Sequence, residues 1–97
     1  MITAADETIG NIINKLKMSP AWERTVVIFL SDNGSPVISA NHPFRGLRGM
    51  LQEGAVRVPA FITSPMINVT GRRIDNMIHM TDIFPTVLDL AGKIQFK

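Results

Sequence analysis

Asp32 and Asn33, adjacent and followed by Gly34, are the residues of this chain best suited to chemistry. A carboxylate beside an amide carbonyl offers two hard oxygen donors, the ligand type that calcium and magnesium prefer. Gly34 lets the backbone turn sharply beneath them. They directly follow Thr25-Val26-Val27-Ile28-Phe29-Leu30-Ser31, an apolar run rich in β-branched side chains that reads as a buried, parallel strand. Ligands of open α/β sheets collect just beyond the carboxyl ends of strands. Taken alone, the tripeptide is better read as an ordinary Asn-Gly turn closing a strand. The segments that follow it change that reading.

Farther along stands Asn41-His42-Pro43-Phe44-Arg45-Gly46-Leu47-Arg48-Gly49-Met50-Leu51-Gln52-Glu53-Gly54-Ala55-Val56-Arg57-Val58-Pro59, and then Ala60-Phe61-Ile62-Thr63-Ser64-Pro65. With Asp32-Asn33-Gly34-Ser35 ahead of them, these segments resemble the sulfatases of the arylsulfatase type, a branch of the alkaline-phosphatase-like superfamily. That family carries strand-D-N-G-G, then P-x-R-G-x-K-x-x-x-x-E-G-G-x-R-V-P, then a short strand ending in S-P. The opening Met1 to Asn11 resembles the family's M-D-E-x-x-G-x helix, and His79 to Gly92 resembles its D-x-x-P-T-x-L-x-L-A-G helix. Each piece is weak alone; the ordered set is specific and runs along nearly the whole chain.

The resemblance implies that Asp32 and Asn33 are oxygen ligands of a divalent cation, usually calcium, which polarises the sulfate oxygens. Two ligands fall short of the roughly 6–8 oxygens calcium prefers, so the isolated chain is expected to bind it poorly. Two positions depart from the pattern. Ser35 replaces the second glycine, a mild change. Arg48 stands where the family keeps a lysine that contacts the sulfate and the leaving-group oxygen. Arginine holds sulfate well but stays charged and does not readily give up a proton. Arg48 is therefore expected to bind substrate, with proton transfer the function at risk.

Cysteine is absent, which removes disulfides, thiolate catalysis and cysteine zinc sites together. Sulfatases also oxidise a Cys or Ser in C/S-x-P-x-R to formylglycine, their nucleophile, and no Ser of this chain stands in that motif. The expectation is that residues 1–97 are a partial catalytic domain, its later portion, with the nucleophile and the remaining metal ligands in preceding sequence. The remainder of the domain is then needed for folding, and the chain alone is expected to be inactive. By the same resemblance the intact enzyme cleaves the S–O bond of a sulfate ester and is lysosomal or secreted.

The elements that must position these residues can be read in outline. Thr3 with Asp6 suits a capping box, and Ile9, Ile12, Ile13 and Leu16 then recur at helical spacing until Ser19-Pro20. Trp22 is read as a packing residue. The segment 32–56 contains four glycines and shows no clear period, and aperiodic loops beyond roughly 15 residues are usually functional or disordered. Phe44, Leu47, Met50 and Leu51 favour a loop packed on a larger body. Val58 to Thr63 reads as a second strand. A closing helix is expected from a cap at Thr81 or Asp82 to Gly92, with Pro85 in its first turn and Phe84, Val87, Leu88 and Ala91 as its buried stripe. Two helices and two strands cannot close a doubly covered sheet. The fold class is thus α/β, a fragment of a mixed sheet flanked by helices.

Composition excludes other classes. The chain has 97 residues and a net charge of +2, too mild to imply a nucleic-acid partner or a membrane surface. Its basic residues are scattered, and the Arg72-Arg73 pair reads as solvated surface. No segment has the roughly 20 apolar residues of a membrane span, and no signal peptide opens the chain. Arg45, Glu53 and Arg57 read as a charged network bracing the loop, and His42 and His79 as structural residues. Asn68-Val69-Thr70, in an expected surface turn, is a candidate glycosylation site. Asn33-Gly34-Ser35 matches the same pattern, but sugar there would abolish metal ligation.

These readings converge on part of a calcium-dependent sulfuric ester hydrolase. Two alternatives stand beside it. One is a non-catalytic sulfatase-derived binding or partner protein, which suits the missing nucleophile and Arg48. The other, a related phosphoryl-transfer enzyme, is disfavoured by the Arg45-to-Pro59 block.

Overall fold

The structure, a computed structural model, describes residues 1–92. Helix α1 runs from Ile2 to Lys17. It takes Thr3 into its first turn, so Thr3 is not its cap; Met1 holds that position without a side-chain bond. Met18 closes α1, and Pro20, instead of merely stopping a helix, opens a short 3-10 helix over Pro20–Arg24 capped by Ser19. There Trp22 lies beneath the Lys17 ammonium, 5.7 Å from its ring centroid.

Strand β1, Val27–Leu30, pairs with β2, Ala60–Thr63. The pairing is antiparallel, in the register Val27 to Thr63 and Leu30 to Ala60. This corrects the expectation of a parallel neighbour among the described residues: an apolar β-branched run signals a strand, not its direction. The expected burial is absent too. Phe29 is 37% exposed and β2 is exposed throughout. Phe29 and Phe61 stack across the pair with centroids 5.1 Å apart, a contact worth about 1 kcal/mol beyond area burial.

The strands are anchored at their far end by Ser64, the best-buried polar side chain described, at 7% exposure. Its hydroxyl donates to the Thr25 carbonyl at 2.7 Å and accepts from the Met66 amide at 3.2 Å. Ser64 thereby ties the end of β2 to the start of β1.

The closing helix starts differently from the expectation. A 3-10 turn over Met80–Asp82 leads into α3, Ile83–Leu90, and the cap of that run is His79. The Thr81 amide donates to His79 Nδ1 at 3.3 Å, and the Asp82 carboxylate accepts from the His79 amide at 2.8 Å. Asp82 is the returning partner of the cap, not the cap itself. Pro85 lies in the first turn of α3, and Gly92, at φ +66°, follows its end.

The apolar stripes lack covers among the described residues. Phe84 and Val87 of α3 are exposed, as are Ile9 and Ile12 of α1. Between α1 and the sheet lies an open apolar groove of about 620 Å³, lined by Ile9, Ile13, Leu16, Trp22 and Phe61 among others. Ala55 is the one buried apolar side chain among the described residues. The radius of gyration, 16.1 Å, exceeds the roughly 13 Å of a compact 100-residue domain. The described elements form a thin α/β plate with no closed core. No helix is long and apolar enough to cross a membrane.

Candidate functional site

Asp32 and Asn33 stand on a bend directly after β1. Asp32 Oδ1 accepts from the Asn33 amide at 2.9 Å, leaving the second carboxylate oxygen uncommitted within this turn. Asn33 Nδ2 donates to the Gly34 carbonyl at 3.0 Å, so the amide nitrogen is used inward and its oxygen remains an acceptor. Ser31 Oγ donates to the Asn33 carbonyl at 3.2 Å. Asp32 is exposed and Asn33 half-buried. The donor set, one carboxylate and one amide oxygen, fits a hard divalent cation. No group of three His, Cys, Asp or Glu gathers among the described residues, so these two side chains supply only part of a coordination sphere.

The turn is held against the loop by backbone contacts that only glycine permits. The Gly34 amide donates to the Ala55 carbonyl at 2.8 Å, and a Cβ on Gly34 would collide with the Gly54 carbonyl. Gly54 in turn donates to the Arg45 carbonyl at 2.8 Å, and a Cβ there would meet the Phe44, Arg45 and Gly46 carbonyl oxygens at 2.8–2.9 Å. Gly46 adopts φ +111°, open to glycine alone at low cost. Gly54 and Ala55 belong to a single-turn helix α2, Glu53–Val56, and a 3-10 turn covers Ile38–Asn41. The segment lacking a period is therefore an ordered, glycine-packed loop.

Asn41, which sequence reasoning did not single out, joins the parts. Its Oδ1 accepts from the Ser35 amide at 2.8 Å, and its Nδ2 donates to the Ser35 and Gly46 carbonyls at 2.8 and 2.9 Å. The backbone amide of Arg48 donates to the same Ser35 carbonyl at 3.2 Å. The structure thus brings the Arg48 backbone to the residue that follows the Asp32-Asn33-Gly34 turn, while its side chain is exposed. The sequence signal was an Asn placed five positions before a Gly inside an aperiodic loop, where one acceptor and two donors can satisfy backbone groups that no helix or strand serves.

An open cleft of about 460 Å³ adjoins the turn, lined by Asn33, Ser35, His42, Phe44 and Arg57 among others. The expected charged network is smaller than its sequence suggested. Arg57 pairs with Glu53 at 3.4 Å, one helical turn away, and its guanidinium lies 4.7 Å from the Phe44 ring centroid. Arg45 forms no ion pair among the described residues; its carbonyl, not its charge, does the bracing. With both partners more than half exposed, the Arg57–Glu53 pair contributes little. His79 is a helix cap remote in sequence from this loop, in keeping with a structural role. Arg73 pairs with Asp75 on the surface, and Asn68 is exposed between β2 and the closing helix.

Described as a class, this is an α/β plate bearing an oxygen-donor turn on a glycine-packed loop. The Sulfatase family model matches residues 1–93, nearly all of the chain, and the chain belongs to the sulfatase family. It is 33% identical over 93 residues to arylsulfatase J of Mus musculus, a match covering 94% of this chain and 16% of that protein. It is 32% identical over 97 residues to steryl-sulfatase of Homo sapiens, covering 90% of the chain and 17% of that protein. With an arylsulfatase of Clostridium perfringens it shares 33% identity over 93 residues, covering 93% of the chain and 19% of that protein. The chain spans less than a fifth of the length of these relatives. No solved structure gives a significant match.

Proposed function

We propose that this chain supplies part of the divalent-metal and sulfate site of a sulfuric ester hydrolase. The observation that carries the reading is the place of Asp32 and Asn33, directly beyond the carboxyl end of β1 on a turn locked by Gly34 to α2. Asp32 and Asn33 would hold the cation by oxygen. When bound, calcium supplies positive charge that draws electron density from the sulfate oxygens. Arg48 binds and orients the sulfate with a fork of charged donors. Because it keeps its proton, Arg48 stabilises charge without acting as an acid. The nucleophile lies outside this chain, which contains no C/S-x-P-x-R motif, so the 97 residues alone do not turn over substrate. The fold completed by the remainder of the domain is of the alkaline-phosphatase-like kind, and the enzyme is lysosomal or secreted, with Asn68 as its glycan site.

A second reading, a non-catalytic sulfatase-derived partner protein, draws on the missing motif and on Arg48. Sequencing the transcript upstream of Met1 separates the two. An in-frame extension carrying an Asp-Asp strand end and C/S-x-P-x-R supports the hydrolase. A stop codon immediately upstream overturns it in favour of the partner.

A further inference from the structure

The Asp32-Asn33-Gly34 turn and the Arg45-to-Arg48 segment meet at one residue, Ser35, and one side chain handles that meeting. Asn41 is half-buried and spends its full amide complement but one lone pair there, accepting from the Ser35 amide and donating to the Ser35 and Gly46 carbonyls, all within 2.9 Å. The Arg48 amide shares the Ser35 carbonyl. Neither Ser35 nor Gly46 has a helix or strand ladder to satisfy its polar groups. We infer that Asn41 is a positioning residue: it fixes the spacing between the turn that carries Asp32 and Asn33 and the turn that carries Arg48.

The chemistry requires an amide at this position. Aspartate can accept from the Ser35 amide but donates to neither carbonyl. Alanine does neither, and it leaves one donor and one carbonyl without their partner. Ser35 Oγ accepts from the Val37 amide, so that hydroxyl is engaged in its own turn and does not replace Asn41. The positional role rests on the metal and sulfate reading of Asp32, Asn33 and Arg48, whereas the hydrogen-bond role does not.

The test uses residues 1–93 placed in the arylsulfatase of Clostridium perfringens in exchange for the segment they match, labelled for nuclear magnetic resonance, in three forms: parent, Asn41→Ala and Asn41→Asp. Amide exchange at Ser35 reports the clip, and Mn²⁺ broadening of the Asp32 and Asn33 amides reports the metal turn. The Met66 amide, bonded to Ser64 Oγ, reports whether the strand anchor remains intact. In Asn41→Ala, Ser35 exchange should accelerate roughly five- to tenfold and the Mn²⁺ midpoint should rise several-fold, with Met66 unchanged. In Asn41→Asp, Ser35 should stay protected while the Mn²⁺ midpoint still rises, because the donations to the two carbonyls are gone. Unchanged Ser35 exchange and an unchanged midpoint in Asn41→Ala overturn the inference. If Mn²⁺ broadens neither amide in the parent, the metal reading fails. In that case Ser35 exchange alone decides the clip, and slow exchange surviving in Asn41→Ala overturns it.

Discussion

Gly34 and Gly54 are in backbone contact: a Cβ built on Gly34 lands on the Gly54 carbonyl, while the Gly34 amide reaches the neighbouring Ala55 carbonyl at 2.8 Å. The turn bearing Asp32 and Asn33 is thus seated on α2 with no side chain between them. Backbone cannot rotate away as a side chain can. Gly34→Ala should therefore cost about 3 kcal/mol, the upper end of overpacking costs. Gly10, inside α1 with nothing within 4 Å of its would-be Cβ, gives the opposite sign. Gly10→Ala should stabilise by roughly 0.5–1 kcal/mol. Urea denaturation of the two variants, each made in the exchanged enzyme that carries residues 1–93 within a whole sulfatase domain, checks both values, and destabilisation of similar size in the two would contradict the contact.

His79 caps the closing helix, so its replacement should be felt in stability and not through any charge. His79→Ala should cost about 1 kcal/mol, and His79→Asn, which keeps a good N-cap acceptor, should restore most of it. Circular dichroism during thermal unfolding of the same exchanged enzyme measures the difference. Equal losses in the two variants would show that capping is not what the imidazole supplies.

The sequence made family membership legible, because Asp32-Asn33, the Arg45-to-Pro59 block and the Pro85-Thr86 helix stand in the order of the family's motifs. Strand β1 and helix α1 were legible from apolar run and period. The direction of β1 was not, since burial pattern carries no polarity, and its one described neighbour proved antiparallel. Asn41 and Ser64 were missed for a shared reason. Each serves backbone groups through a single polar side chain, and such pairings leave no periodic trace. His79 was passed over as a cap because Asp82 offered the more usual residue type, yet Asp82 serves as the returning half of the same motif.

Two sequons offer a test of the local geometry. Asn68 is exposed, whereas Asn33 is half-buried with its Nδ2 donating to the Gly34 carbonyl. Glycosylation puts a bulky sugar on that inward-facing nitrogen. Peptide mass mapping of the chain secreted from a eukaryotic host should find sugar on Asn68 and none on Asn33. A glycan on Asn33 would remove it from any metal site.

Arg48 is expected to hold sulfate while limiting proton transfer. Placing residues 1–93 into the arylsulfatase of Clostridium perfringens, in exchange for the segment they match, gives an enzyme in which this can be read. There Arg48→Lys should raise kcat roughly tenfold or more with little change in KM, since a lysine ammonium can donate its proton and arginine does not. A rise in KM with kcat unchanged would assign Arg48 to binding alone.

The same exchanged enzyme tests most directly whether Asp32 and Asn33 form part of a calcium-dependent sulfate site. The measurement is kcat/KM for a chromogenic aryl sulfate against calcium concentration, with the melting temperature of each variant as the control for folding. The parent exchange should hydrolyse the ester and lose activity on chelation. Asp32→Ala and Asn33→Ala should each lower kcat/KM at least about a hundredfold at saturating calcium or shift the calcium midpoint upward, with melting preserved. A folded exchange whose activity and calcium dependence are indifferent to both substitutions would contradict the assignment.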